Sequence, residues 1–174
     1  MERTLDATLL HLVRTRLVDD YPAQIGECLD LMDDTDVWWR PDETVNALGN
    51  LVLHLAGSNR YYVGYGIGGR ETHRDRDAEF AARANPGRGE IVRHWHETTR
   101  VCAEVLGAIV PSDLMNTTSR TGKETTIAAL LLHVSHHTAV HVGQIVWITK
   151  MRHPGALSEL WIRTRDRLAS ARKS

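Results

Sequence analysis

His133–Lys150 reads HVSHHTAVHVGQIVWITK. Four histidines fall within nine residues, and the run passes directly into an apolar stretch. His137 and His141 are spaced i, i+4, which on a helix sets both imidazoles on one face, one turn apart. Leu130, Val134, Ile145 and Ile148 share that face. A helical reading therefore puts the pair in the middle of an inward apolar stripe. The pattern runs from Glu124 to Met151, with Thr125 or Thr126 as a cap and His153, Pro154 and Gly155 as the stop. Leu131, Leu132, Val140, Val146 and Trp147 make this helix apolar around much of its circumference. Such a helix is expected to be buried on several sides, in a bundle or at a subunit interface.

Outward from this stretch, the chain reads as further helices. Leu9, Leu12, Val13 and Leu17, then Ile25, Cys28, Leu29 and Met32, predict one long helix over Leu5–Met32, interrupted near Asp20–Tyr21 by Pro22. Asp33–Thr44 is a linker whose Trp38 and Trp39 must lie on the bundle. Val45–Tyr65 is a second helix with a core stripe of Leu48, Leu51, Val52, Leu55 and Tyr62. His54 falls on its flank with Ala47, Leu51, Ser58 and Tyr61. The glycines at 64, 66, 68 and 69 end this helix, and following a helix they do not read as a nucleotide loop. Asp75–Ala84 allows a short helix anchored by Phe80. Gly89–Val110 is a third long helix, and Leu157–Leu168 a last short one. No strand alternation or repeat stands out. The expected architecture is all-α, an antiparallel four-helix bundle plus a short C-terminal helix, in a single domain over 1–174.

Composition narrows the function classes. The 174 residues carry a net charge of −1, with acids and bases mixed, so neither nucleic acid nor a membrane surface is an expected partner. No apolar run approaches the roughly 18 residues of a membrane span. The N-terminal stretch lacks the apolar core and cleavage signal of a secretory leader. Cys28 and Cys102 are far apart and form no CxxC pattern, which argues against a cysteine-based zinc site. They fit free thiols in a reducing compartment. A cytoplasmic location is expected.

Two imidazoles in an apolar stripe are costly unless each finds a partner. A shared cation meets that cost for both, and neutral imidazole is a common ligand for zinc, nickel, copper or iron. Satisfaction by carboxylates or carbonyls is the structural alternative. His133 extends the face toward its edge as a supporting residue, while His136 faces elsewhere. A third ligand must come from another element: His54, His94, His96 or an acid. His94 and His96, two residues apart, point to different sides and read as surface residues. His54, isolated in an otherwise apolar helix, is the favoured choice. Three histidine ligands leave coordination positions open for water or substrate, as in a catalytic or ligand-binding metal site. There is no HExxH and no Glu one turn from the pair, which argues against a hydrolase of the metalloprotease kind.

GNLVLHLAGSNRYY, followed some eighty residues later by LLHVSHHTAVHVGQIV, resembles the DinB-like superfamily, the DinB/YfiT type of proteins regarded as metalloenzymes. WWRPDETVNALGN and RDRDAEFAAR resemble a bacterial branch of it whose activity is mostly unassigned, and the similarity covers most of residues 5–152. The resemblance implies four long helices with a long crossover connection and frequent homodimerisation. It also implies a metal triad at His54, His137 and His141, with Gln144 in packing or support. Val140 stands where the family has Tyr or Phe before the last His, a change expected at the pocket wall. Some relatives are S-transferases or isomerases that use a low-molecular-weight thiol, the metal activating the thiolate. Others are regarded as hydrolases or stress-induced proteins. The expectation is a divalent-metal-dependent enzyme on a small molecule, of the thiol S-transferase type. A metal-dependent hydrolase and a non-catalytic stress-related metal- or ligand-binding protein are the alternatives. Zinc or nickel head the candidate metals, with iron or manganese behind.

Overall fold

The computed structural model describes residues 4–157, Asp166 and Ser170. The helix expected over Leu157–Leu168 falls almost wholly outside the described residues. Helix α1 (Leu5–Arg14) starts at Thr4, whose side chain accepts from Ala7 N–H at 3.3 Å. It runs through a π-helical stretch, Thr15–Asp20, into α2 (Tyr21–Asp30). The interruption expected near Asp20–Tyr21 is thus a change of helical winding, with Tyr21 N–H reaching back five residues to the Arg16 carbonyl. Pro22 is the second residue of α2, so its missing N–H coincides with the change of winding.

The linker holds one 3-10 turn, Asp36–Trp38. As expected, its tryptophans lie on the bundle: Trp38 is buried and donates to the Pro86 carbonyl at 3.0 Å, and Trp39 packs beneath the Arg152 guanidinium. Helix α3 (Leu48–Asn59) continues into a second π-helical stretch, Arg60–Ile67. Gly69, at φ +66°, takes the left-handed conformation after it. A short helix α4 (Arg76–Ala81) is capped by Asp75, and α5 (Arg88–Ala108) is the third long helix. Thr117–Thr118 (β1) and Thr125–Thr126 (β2) form a two-residue antiparallel pair. That pairing holds Thr125 and Thr126 extended, so α6 (Ile127–Arg152) begins later than the expected Glu124. Thr126 caps it by accepting from Ala129 N–H at 3.2 Å.

Both α2 and α3 pack against α5 and α6, so they occupy opposite corners of a four-helix arrangement. Two arginines tie its ends. Arg14 of α1 donates to the carbonyls of Leu106, Gly107 and Ile109, which α5 leaves without helical partners. Arg88, at the start of α5, donates to Leu29 O at the end of α2 at 2.7 Å. The described residues are all-α apart from the threonine pair. Among the described residues no helix is long and apolar enough to cross a membrane.

Within the single chain, helix α6 is buried on its inner face and leaves an apolar outer face exposed. Leu131, Val134, Val142 and Ile145 are buried, but Leu132, Val140, Trp147 and Met151 are 52, 49, 60 and 42 % exposed. They recur at helical spacing on the outer face. Val140 belongs to this outer stripe.

Candidate metal centre

The inward face of α6 is centred on Val134, Thr138 and Ile145, all fully buried. Thr138 Oγ1 donates to Asn59 Oδ1 of α3 at 3.2 Å. His137 and His141 are therefore half-buried at the edge of that face, not in its middle. A short, satisfied threonine lets α3 and α6 approach closely and leaves the imidazoles at the seam between them.

Across the seam stands His54 on α3, buried at 4 % exposure. Its Nε2 lies 3.0 Å from His137 Nε2. Ligand atoms of His54, His137 and His141 all lie within 4.8 Å of one another. Nitrogens each about 2.0–2.1 Å from a shared ion stand about 2.8–3.4 Å apart for ligand angles of about 90–109°. The His54–His137 separation falls in that range without rearrangement.

The outer nitrogens have partners of their own. His54 Nδ1 lies 2.8 Å from Glu79 Oε2, and His141 Nδ1 lies 2.6 Å from Gln144 Oε1. His137 Nδ1 faces Ser58 Oγ at 3.4 Å. Acceptors on the outer nitrogens of His54 and His141 take the ring protons there and leave the Nε2 lone pairs for a cation. The donor set and its support fit a divalent metal ion.

Electrostatics keep the centre receptive. Burial, with the neighbouring His141 and His54, pushes the His137 imidazole down to about 4. Burial also lowers His141, against the opposing hydrogen bond to Gln144. Burial pushes the Glu79 carboxyl up, but hydrogen bonds from His54 and Arg74 outweigh it and hold the group below the usual carboxylate range. Arg74 Nε donates to Glu79 Oε1 at 2.9 Å.

His133 is exposed; its ring stacks at 6.0 Å from His137 and takes Tyr62 edge-on at 4.9 Å. It is a neighbour of the centre through the rings, as its edge position suggested. His136, His94 and His96 are exposed, and His94 lies 3.5 Å from Glu90. Gln144 supports His141. Glu79 and Arg74 escaped the sequence reading: they lie in a polar stretch with no periodicity, and only the tertiary fold brings them to His54. The nearest signal was Phe80, whose ring lies 4.6 Å from His54.

Residues 5–165 match DUF1572, a family of proteins of unknown function. The chain belongs to that family. Among curated proteins nothing matches. Two solved structures share the fold of this DUF1572 chain. A DinB-like protein from Bacillus cereus ATCC 10987 is 14 % identical, with a TM-score of 0.64 over 87 % of this chain and 95 % of that one. The DinB-like protein YjoA from Bacillus subtilis is 16 % identical, with a TM-score of 0.61 over 83 % and 94 %. The DUF1572 chain thus has the DinB-like fold that its motifs resemble.

Proposed function

We propose that the protein binds one divalent metal ion through His54, His137 and His141 and acts on a small molecule as a thiol-dependent S-transferase. The observation that carries the first part is the convergence of three imidazoles, two with an acceptor fixed on the outer nitrogen. Zinc or nickel suits three neutral imidazoles, with iron or manganese behind. When bound, the ion supplies a Lewis-acid centre that lowers the pKa of a group coordinating it.

The carboxylate nearest the histidines favours thiol transfer over hydrolysis. Glu79 is engaged by Arg74 and by the outer nitrogen of His54, so it is committed to holding a ligand rather than to taking a proton from water. A thiol needs less help from a general base, because its proton is already acidic enough for a metal to displace. The outer stripe of α6 supports a homodimer, and the two buried free cysteines support a cytoplasmic setting.

Metal analysis of protein purified without a histidine tag tests the centre. About one ion per chain is expected, falling to a negligible level in His137→Ala and His141→Ala. A wild-type protein without metal, or variants that retain it in full, overturns the assignment. Turnover of electrophiles that depends on both metal and a low-molecular-weight thiol is the expected activity. Metal binding without turnover over a broad panel leaves the non-catalytic binding protein as the reading.

A further inference from the structure

We infer that Glu79 is a positioning residue that fixes the tautomer of His54, and that α4 with Gly57 exists in this form to hold it there. The part concerning metal rests on the reading above.

The hydrogen-bond chemistry is one-sided. A carboxylate only accepts, so its 2.8 Å contact with His54 Nδ1 requires the ring proton on that nitrogen. In the neutral ring Nε2 is then the unprotonated nitrogen, facing His137 Nε2. Arg74 Nη2 lies 3.3 Å from the same Nδ1, but a guanidinium only donates, and its hydrogen bonds go to both carboxylate oxygens of Glu79. Glu79 is 9 % exposed and fully paired, which leaves it little freedom to swing away.

The backbone delivers Glu79 and Phe80 as a unit, one to the Nδ1 edge of His54 and the other to its ring face. Helix α4 has six residues, too few to be stable alone. Asn50 holds it. The Asn50 amide nitrogen donates to Glu79 O and Ala82 O, each at 2.9 Å, while its oxygen accepts from Ala47 N–H at the start of α3. Asn50 and His54 are one turn apart on α3. One helix therefore carries both the metal-facing imidazole and the anchor for the residue that orients it.

Position 57 shows how closely the carboxylate is fitted. A methyl group there would lie 2.0 Å from Glu79 Oε1 and 2.9 Å from its Cδ. Only glycine leaves the carboxylate its place. Gly57 has a negative φ, so this glycine is explained by space and not by backbone conformation.

Nitrogen-15 NMR of the histidine rings and metal titration test the inference together. In metal-free wild type, His54 is expected as the Nδ1-protonated tautomer. Glu79→Met removes the acceptor; loss of that tautomer and about 10- to 100-fold weaker zinc binding are expected. Glu79→Gln keeps an acceptor oxygen and restores most of the affinity. Gly57→Ala displaces the carboxylate, which can move into the cavity of about 440 Å³ that Gly57, Arg74 and Glu79 line, and shifts both readouts as Glu79→Met does. Should Glu79→Met fail to fold, Gly57→Ala decides. An unchanged tautomer and zinc affinity within twofold of wild type in Gly57→Ala overturns the inference. A wild-type protein that binds no metal overturns the proposed function instead, and the tautomer comparison between wild type and Gly57→Ala still decides the role of Glu79.

Discussion

Gln144 Oε1 lies 2.6 Å from His141 Nδ1, one turn further along α6, so the last histidine of the triad takes its orientation from its own helix. His54 takes its orientation from Glu79, twenty-five residues away in sequence. The two supports differ in charge and in cost of removal. Gln144 is exposed, and its replacement by Ala is expected to leave folding stability within about 0.5 kcal/mol. Metal affinity is expected to fall by about tenfold. Urea denaturation beside zinc titration checks both; equal zinc affinity in Gln144→Ala would show that His141 needs no support.

Acid destabilises the metal-free protein through His137. In the unfolded chain the imidazole protonates near its ordinary value of about 6.5. In the folded chain it resists until about 4. Between those values the unfolded state binds more protons, so stability falls as pH falls, and the loss levels off below about 4. The urea midpoint of metal-free protein is expected to drop between pH 7 and pH 4.5. His137→Gln flattens part of that slope, and His141, lowered in the same direction, keeps a share of it.

Asp36 clamps the linker to the end of α6. It accepts from Arg152 Nε at 2.8 Å and from a second guanidinium nitrogen, and His153 Nε2 lies 3.2 Å from its other oxygen. The hydrogen bond from Arg152 lowers its pKa against the opposing effect of burial, with the charges of Arg152 and His153 adding to the lowering. A carboxyl lowered by folding contributes stability above its unfolded value of about 3.9 and loses it as pH falls through the folded one. Asp36→Asn is expected to cost about 1–2 kcal/mol at pH 7. The gap to wild type narrows below about pH 4, as chemical denaturation at pH 7 and pH 3 would show.

Leu132, Val140, Trp147 and Met151 form an exposed apolar stripe on α6, beside a cavity of about 430 Å³ lined by Pro41, Val45, Leu51, Trp147 and Ile148. A homodimer that covers this stripe is expected by light scattering. Val140→Glu with Trp147→Glu yields monomer with unchanged helical content. A wild-type monomer at all accessible concentrations refutes the assembly.

Much of this was legible in the sequence because it depends on periodicity. The three long helical segments and α6 follow from apolar spacing, and the His137–His141 pair from one turn of a helix. His54 stands out as a candidate third ligand because it is isolated among apolar residues that must be buried, and the DinB-like resemblance implies the same position. Periodicity carries nothing about Glu79 and Arg74, whose stretch is polar throughout and gains its place from the Asn50 amide. The wheel also set the imidazoles in the middle of the inward stripe, a place that Thr138 takes in the structure. Paired with Asn59, it is a buried contact between helices.

Tyr62 shows what the π-helical stretch after Asn59 brings about. Straight α-helical phase assigns Tyr61 to the flank of His54 and Tyr62 to the core stripe. In the structure it is Tyr62 that meets His133 beside the triad. Wider winding over Arg60–Ile67 takes up one more residue per turn and shifts the reading frame of the helix surface by about one position. The second helix is thus written in two frames, one that aims His54 and one that aims the tyrosines. Deleting a single residue within 63–67 would restore one frame throughout and turn Tyr62 away from the three histidines, with His54, His137 and His141 still in place.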